Sequence, residues 1–575
     1  MASSINADYS STAESAKVLS LLVSLVDDVS LPPSAAAKCS LVRFRAARDQ
    51  PYFPIPFKES ETAAALKAVE ACVAALLADT RLGQSRRRDV VVDHEKTTAF
   101  LFQAYLATIG GRGKLDSDVR SFLKVDDDDA KDTDYLQAQS NPYRRMAANL
   151  YATAEEGEYY HIHGSLEAST TLRMIGLSPW RPDLETHDAI VDVIESAVRR
   201  HTVAELETLN AQHRQAGVKA WKHEDFLGTP HGQAIWDSPP WTVEQLEHGT
   251  PPQPLPQPGP RLLAGIRVLE LCRIIAGPVM GRILAEYGAE VVKVTGPGLS
   301  DVPFFQVDGN MGKRAAELDL KSPEGRAAFD RLLDSADVVL DGYRPGALDA
   351  LGYGASQLAR RATERGRGFV YVAENCFGNR GDCKRPPSTD KPFHLQVSGI
   401  AWDQGRFMGL DEPVVPPFPI SDYGTGCMGA IAALVGLFHR STRGGSWLGN
   451  TSLLQYDLLL YKAGPLPDPV QRRLRNQAGD EFLALRHADS VDAVSAAALR
   501  RMRALFPDFF QQSRFLDRWF AKAYAAEVAV VRPVVEIGGL ELRFDRASRP
   551  NGSDEPSWEF GGDGDRRLSW PDAVG

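Results

Sequence analysis

The chain is predicted to be an α/β protein, and three features of its second half carry that prediction. Arg267 to Leu271 is a short apolar run of the kind that forms a buried parallel strand. A small-residue turn, Ala276-Gly277-Pro278, follows it, with proline near a helix start, where a missing N–H costs little. A helical stretch through Leu284, Ala285 and Tyr287 then closes at Gly288, and Ala289 to Val294 is a second apolar run. Strand, turn, helix and strand make a βαβ unit of the nucleotide-binding kind. The turn after the first strand lacks the GxGxxG of a dinucleotide site, so NAD and FAD are not expected.

The 575 residues suggest two or more structural units. A hydrophobic content of 43% and a charged content of 24% are those of a globular protein. The net charge of −10 argues against a nucleic-acid surface, and Arg86-Arg87-Arg88 reads as a solvated face. Six scattered cysteines form no CxxC pair, so neither zinc nor a disulfide framework is implied. The first residues lack the charged and apolar regions of a secretory signal. No apolar run was expected to span a membrane, and Ala573-Val574-Gly575 is not a peroxisomal tripeptide. A reducing, cytoplasmic setting is the expectation.

A polyproline-like stretch, Thr250 to Pro260, reads as a linker. The expected division is an N-terminal segment (1–60), a distal-type domain (61–248), the linker (249–262) and a motif-bearing domain (263–575). Within the first half, Glu61 to Asp79 and Thr98 to Ile109 read as helices. Val125 to Asp134 reads as an exposed acidic loop without EF-hand spacing. Tyr151-Ala152-Thr153 and Tyr159 to His163 read as two short strands around an acidic turn, and Trp241 to Glu247 is amphipathic.

After the βαβ unit come Asn310 to Arg314, Leu318 to Gly325 and Asp341 to Gly352, an N-x-GK-R, an LDLK-x-PEG and a D-x-YRPG-x-LD-x-LG element. With the AGP turn, the helix end at Ala285 to Ala289 and the strand at Val291 to Val294, the ordered set resembles the family III CoA-transferases. This CaiB/BaiF superfamily includes formyl-CoA and carnitine CoA-transferases and the α-methylacyl-CoA racemases. The resemblance implies a Rossmann-like nucleotide-binding core with an α+β distal region. Asn149 to Thr153 and Gly157 to His163 look like that family's distal hairpin, and Leu172 to Leu177 resembles the small helix after it. The distal region is therefore expected to be supplied in part by the N-terminal half, as a fused or rearranged partial copy. Val531 to Ile537 and Ser548 to Trp558 resemble the terminal return segment.

The resemblance implies acyl-CoA as substrate, with no tightly bound cofactor and no metal. A transferase of this kind needs a carboxylate nucleophile and a carboxylic acid acceptor. In the run Ser398 to Gly426, Asp411 falls where the family's nucleophile is expected, with Asp403 and Glu412 as rival carboxylates. Asp422 matches a later aspartate before a glycine-rich helix start; it also reads as an N-cap. The racemase reading pairs Asp422 with Asp390 or His394 as acid and base on opposite faces of the substrate Cα. A non-catalytic CoA-binding homologue is the third reading. Carried over by position, Ile275, Ala276, Arg314, Asp319, Lys321, Asp341 and Tyr343 are the expected CoA contacts. Lys321 and Arg314 are the cations offered to phosphate. The partners expected are acyl-CoA and a carboxylic acid, with no nucleic acid and no membrane, in a monomer or homodimer.

Overall fold

A computed structural model describes residues 9–123, 133–256, 261–378, 397–561 and 564–570. Seven strands form the central sheet: β1 (Trp241–Glu247), β2 (Arg267–Leu271), β3 (Glu290–Thr295), β4 (Arg314–Glu317), β5 (Val338–Asp341), β6 (Val370–Asn375) and β7 (Ser446–Ser452). Their order across the sheet is β4-β3-β2-β5-β6-β7-β1. All neighbours are parallel except β7 and β1. The inner strands are valine- and leucine-rich because both faces are covered: Val268, Leu269, Val338 and Leu340 are wholly buried. The order reverses between β2 and β5, so the carboxyl ends of these two strands flank a crevice.

Three helices set the position of that crevice: α1 (Glu59–Leu82), α2 (Ala276–Glu286) and α3 (Ile420–Arg443). α3 packs against both of the others. It is long and apolar enough to cross a membrane, but 94% of its most apolar window is buried inside the protein. Its opening carries Gly424, Gly426 and Gly429, a G-x-G-x-x-G within a helix rather than a phosphate loop. A Cβ on Gly426 would stand 2.5 Å from the Cβ of Val279 and 2.8 Å from the carbonyl oxygen of Ala276. Cβ atoms on Gly424 and Gly429 would overlap Tyr456 and Met280. The glycines are thus a packing seam that lets α3 cross α2 closely. Gly277 of the AGP turn does the same at the other end, since a Cβ there would lie 2.5 Å from that of Cys272.

The N-terminal half is built into this core. β1 is the edge strand of the sheet, paired antiparallel with β7 through Trp241↔Thr451 to Glu247↔Ser446. α1 is buried along nearly its whole length in the same hydrophobic core as α3. The segment 1–60 contributes a helix, Ser11–Leu25, that packs on α1. The described part of the proline-rich stretch is also fixed, with Gln253 N–H donating to Arg440 O at 3.0 Å and Gly445 N–H to Thr250 O at 3.0 Å. These contacts join the segments on either side of that stretch into one core.

The expected hairpin forms, with Ala148–Ala152 antiparallel to Tyr159–His163. It has a small core of its own with the helices Ala168–Met174, His187–Val198 and Val203–His213. The helix expected over Thr98 to Ile109 is interrupted. His94–Phe100 and Gln103–Leu106 are short helices, and Thr108–Ile109 is a strand paired with Val528 and Ala529. Sheet pairing overrides the helical pattern there. Most of the acidic run, residues 125–132, lies outside the described residues.

His487 clamps the hairpin unit to the rest. Its ring nitrogens lie 2.8 Å from Glu195 Oε1 and 3.0 Å from Glu412 Oε2. Burial alone would lower the imidazole, but the two carboxylates outweigh it and raise His487 to about 9. Burial would raise Glu195, but the hydrogen bond and charge of His487 outweigh it and lower Glu195 to about 2.

These features give three tests. Gly426→Val should lower stability by about 3 kcal/mol in urea unfolding, with partial rescue by Val279→Ala. A chain cut after residue 256 should not be recovered as a folded, soluble species, because β1 loses β7 and α1 loses α3. The stabilisation from a raised His487 is complete below its ordinary value near 6.5 and is lost as pH rises through about 9. The part from Glu195 is present above its ordinary value near 4.5 and lost as pH falls through about 2. Wild type should therefore lose of the order of 2 kcal/mol between pH 6.5 and 9 relative to His487→Gln.

Candidate active site

The crevice between β2 and β5 opens into two adjoining cavities. The inner one has a volume of about 170 Å³ and is lined by Asp422, Ile275, His163 and Ser165, among others. Ile275 is the N-cap of α2. Asp422 is the third residue of α3, whose N-cap is Pro419, so its carboxylate lies in the first turn and is not the cap. Two helix N-termini therefore converge on one cavity. Both helix dipoles favour negative charge there. The start of α3 is held by Ser421, whose hydroxyl donates to Asp457 Oδ1 at 2.7 Å.

Part of the lining comes from the hairpin. His163 ends its second strand, and His163 Nε2 lies 3.2 Å from Ser165 Oγ. Its neighbour His161 is wholly buried, and burial holds that imidazole well below its ordinary value. The lining also carries a half-buried ion cluster. Asp492 pairs with Lys114, accepts from Tyr105 OH at 3.0 Å and meets Arg145 at 3.5 Å. Burial would raise the Asp492 carboxyl, but Lys114 and Arg145 outweigh it and hold it well below the carboxylate range. Burial pulls the Lys114 ammonium down, against the attraction of Asp492.

The outer cavity, about 260 Å³, shares His163, Ser165 and Ile274 with the inner one. It is bordered by three arginines: Arg273 after β2, Arg344 after β5 and Arg214 from the hairpin unit. Tyr343 lies beside them, with the Arg273 guanidinium 6.0 Å from its ring centre. Glu167 also faces this space, but its carboxylate caps the helix Ala168–Met174 by accepting from Ser169 and Thr170 N–H. Ile274, at the junction, has φ of +69°. A β-branched residue in that region is strained, and such strain clusters at functional sites.

The expected site residues divide sharply. Ile275, Asp422 and Tyr343 line the two cavities. Asp341 lies beneath Tyr343, accepting from its N–H at 2.9 Å and from Tyr371 OH at 2.6 Å; burial raises its carboxyl to about 6. Ala276 is wholly buried behind Ile275. Arg314 is consumed structurally: it donates to the carbonyls of Glu555 and Glu559 and fixes the terminal segment to β4. Asp319 and Lys321 are exposed and border neither cavity, with Asp319 Oδ1 capping Lys321 N–H at 2.9 Å.

Asp411 is likewise exposed, in a bend after the helix Ile400–Met408, and borders neither cavity. Its rivals are engaged elsewhere. Asp403 accepts from Tyr461 OH at 2.6 Å and Arg406 at 3.0 Å, and Glu412 belongs to the His487 clamp. His394 and Asp390 lie outside the described residues. Sequence reasoning missed Arg273, Arg214 and His163 as site residues. Arg273 had one usable signal, a basic residue just past the carboxyl end of a buried parallel strand. Arg344 sat unremarked inside the quoted YRPG element.

Residues 263–482 match CoA-transferase family III. The chain is 30% identical over 546 residues to an acetyl-coenzyme A transferase of Hypoxylon pulicicidum, covering 92% of this chain and 90% of that one. It is 32% identical to an acyl-CoA transferase of Gibberella moniliformis, over 71% of this chain and 72% of the relative. It is also 35% identical to the human α-methylacyl-CoA racemase, over 32% of this chain and 45% of the relative. Length-wide similarity to the first of these places the chain in a family, and that family is CoA-transferase family III.

Proposed function

We propose that the protein transfers CoA from an acyl-CoA thioester to a carboxylic acid, with Asp422 as the nucleophile. One observation carries the reading. Asp422 faces a cavity where two helix N-termini meet, and that cavity opens directly onto one bordered by three arginines. The arginine cavity suits the phosphates of CoA, since guanidinium groups bind phosphate bidentately. The inner cavity suits the thioester. The family resemblance of the relatives named as CoA-transferases supports the same reading.

The steps follow from that placement. The Asp422 carboxylate adds to the thioester carbonyl, and the oxyanion forms beside the two helix starts, whose dipoles favour negative charge. Collapse expels CoA thiolate and leaves an acyl–aspartyl anhydride. The thiolate attacks the aspartyl carbonyl, releases the first carboxylic acid as its anion and leaves an aspartyl-CoA thioester. The acceptor carboxylate repeats the sequence in reverse, ending as the new acyl-CoA with Asp422 regenerated.

A second reading rests on a separate observation: His163 and Asp422 line the same cavity. An imidazole and a carboxylate so placed are the acid and base of a racemase, moving the proton α to the thioester from one face to the other. Solvent deuterium distinguishes the two. Transfer requires an acid acceptor and a covalent adduct on Asp422; racemisation exchanges the α-proton without an acceptor.

Asp422→Asn should reduce transfer by ~10³-fold or more and abolish the CoA adduct on the peptide containing residue 422, read by mass spectrometry. Asp411→Asn should change kcat/KM less than about threefold; a collapse of activity in this variant would return the nucleophile to Asp411. Arg273→Ala and Arg344→Ala should each weaken CoA binding by about 10- to 100-fold in titration calorimetry, the loss of one charged hydrogen-bond set.

A further inference from the structure

A third cavity, of about 770 Å³, adjoins the inner one. Tyr105 and Lys114 border both, so these two side chains are the only residues common to the catalytic cavity and this chamber. One wall follows Tyr105 to Asp116; the other is the helix Val491–Leu505 and the segment down to Leu516. Leu106, Leu499, Phe509 and Phe515 give it an apolar side, beside polar residues such as Asp116 and Gln512. Arg500 and Arg503 are exposed at its rim, where Arg500 pairs with Glu481 and Arg503 lies 5.6 Å from the ring centre of Phe510. Every residue that borders the chamber falls outside residues 263–482. It is therefore built by the parts of this chain that the family match leaves aside.

We propose that this chamber holds the apolar body of the acyl group, so that the acid exchanged is a large, mainly hydrocarbon carboxylic acid. The proposal rests on the CoA-transferase reading and extends it to substrate class. With CoA in the arginine cavity, the thioester carbonyl must lie at Asp422, and its acyl substituent points to the opposite side. That side ends at Tyr105 and Lys114. The inner cavity, at about 170 Å³, falls short of the 300–1,000 Å³ that sites for drug-sized ligands occupy, whereas the chamber at about 770 Å³ lies within that range. The neck has the chemistry an entering acid needs. Lys114 presents an ammonium beside the aromatic faces of Tyr105 and Phe305, 4.9 and 5.5 Å from the ring centres. Its anionic partner Asp492 has Arg145 as a second cation, so Lys114 can turn to an incoming carboxylate without leaving Asp492 uncompensated. The apolar side then gains from removing the hydrocarbon body from water.

The test uses the full-length protein and 1-pyrenebutyrate, a bulky polycyclic acid whose binding is read by its own fluorescence without turnover. Ala496→Trp and Leu499→Phe each place new bulk in the chamber; two positions are used so that a folding defect at one, seen by circular dichroism, leaves the other to decide. Each folded variant should lower the ratio of pyrenebutyrate affinity to CoA affinity at least tenfold. In transfer assays, kcat/KM for pyrenebutyrate relative to acetate should fall by a similar factor. An unchanged affinity ratio in the folded variants, or a wild-type protein that binds CoA but not pyrenebutyrate, would overturn the proposal. Absence of transfer to every acid, with pyrenebutyrate binding still lost in the variants, would instead count against the transferase reading and leave the chamber assignment supported.

Discussion

The close crossing of α2 and α3 is the constraint on which the site depends. Gly426 and Gly429 face Val279 and Met280 with no room for a Cβ, and Gly277 packs as tightly against Cys272. Only with the helices this near can both N-termini open into one cavity, bringing Ile275 and Asp422 together. The glycines are unfavourable within an isolated helix, by about 1 kcal/mol each relative to alanine. That cost is offset by packing: α3 is buried almost throughout, and most helical stability in proteins comes from such burial. The glycine-rich opening thus serves geometry, and anion binding follows from the geometry.

α1 fixes this crossing from outside through an unusual buried polar hub. Glu70 is wholly buried. It accepts from Lys67 at 2.8 Å, from Tyr287 OH at 3.0 Å and from Cys427 Sγ at 3.3 Å. Lys67 also lies 4.4 Å from the ring centre of Phe100. Tyr287 follows the end of α2, and Cys427 lies between the seam glycines of α3. One carboxylate therefore joins three helices. A buried ion pair adds little net stability over an apolar replacement, but losing one partner leaves an uncompensated charge. The hub admits one register of α1 against α2 and α3, and a slipped register would strand Glu70.

What was legible in the sequence followed the range of the interaction. β2 was read to the residue, and α2 and β3 within one or two, because local apolar pattern and turn chemistry determine them. The hairpin at 148–163 was legible for the same reason. Pairings between distant segments were not. Thr108 and Ile109 leave a helical pattern for a strand because Val528 and Ala529 offer them a sheet edge. Trp241 to Glu247 carries an amphipathic pattern, but only β7 makes it the last strand of the sheet. The two candidate aspartates show the limit most clearly. The family resemblance puts Asp411 at the nucleophile's position and Asp422 at a later aspartate before a glycine-rich helix start. The packing of α3 on α2 brings Asp422 to the inner cavity and leaves Asp411 exposed. Among cations, Lys321 and Arg314 fitted the motif spacing, yet the crevice is served by Arg273, Arg344 and Arg214, which come from three distant segments.

The order of segments gives the composite chain its meaning. The hairpin that carries His163 precedes the helix α3 that carries Asp422, and β1 lies between them as the antiparallel edge of the central sheet. Placing β1 in the sheet anchors the chain at one border of the core; the His487 clamp anchors the hairpin unit again at Glu195. A small apolar cluster, in which Leu150 and Ala220 of the hairpin unit pack with Trp402, adds a further anchor. Residues of a single chain thus form the walls of the cavity, the arginine border and the chamber. Bringing these walls together is an intramolecular event, so its free energy does not depend on protein concentration as a wall supplied by a second chain would. The ion cluster at the neck is where this matters most. Asp492 comes from the helix Val491–Leu505, Lys114 and Arg145 from the first half, and only the joined fold compensates all three charges in the cavity that Asp422 also lines.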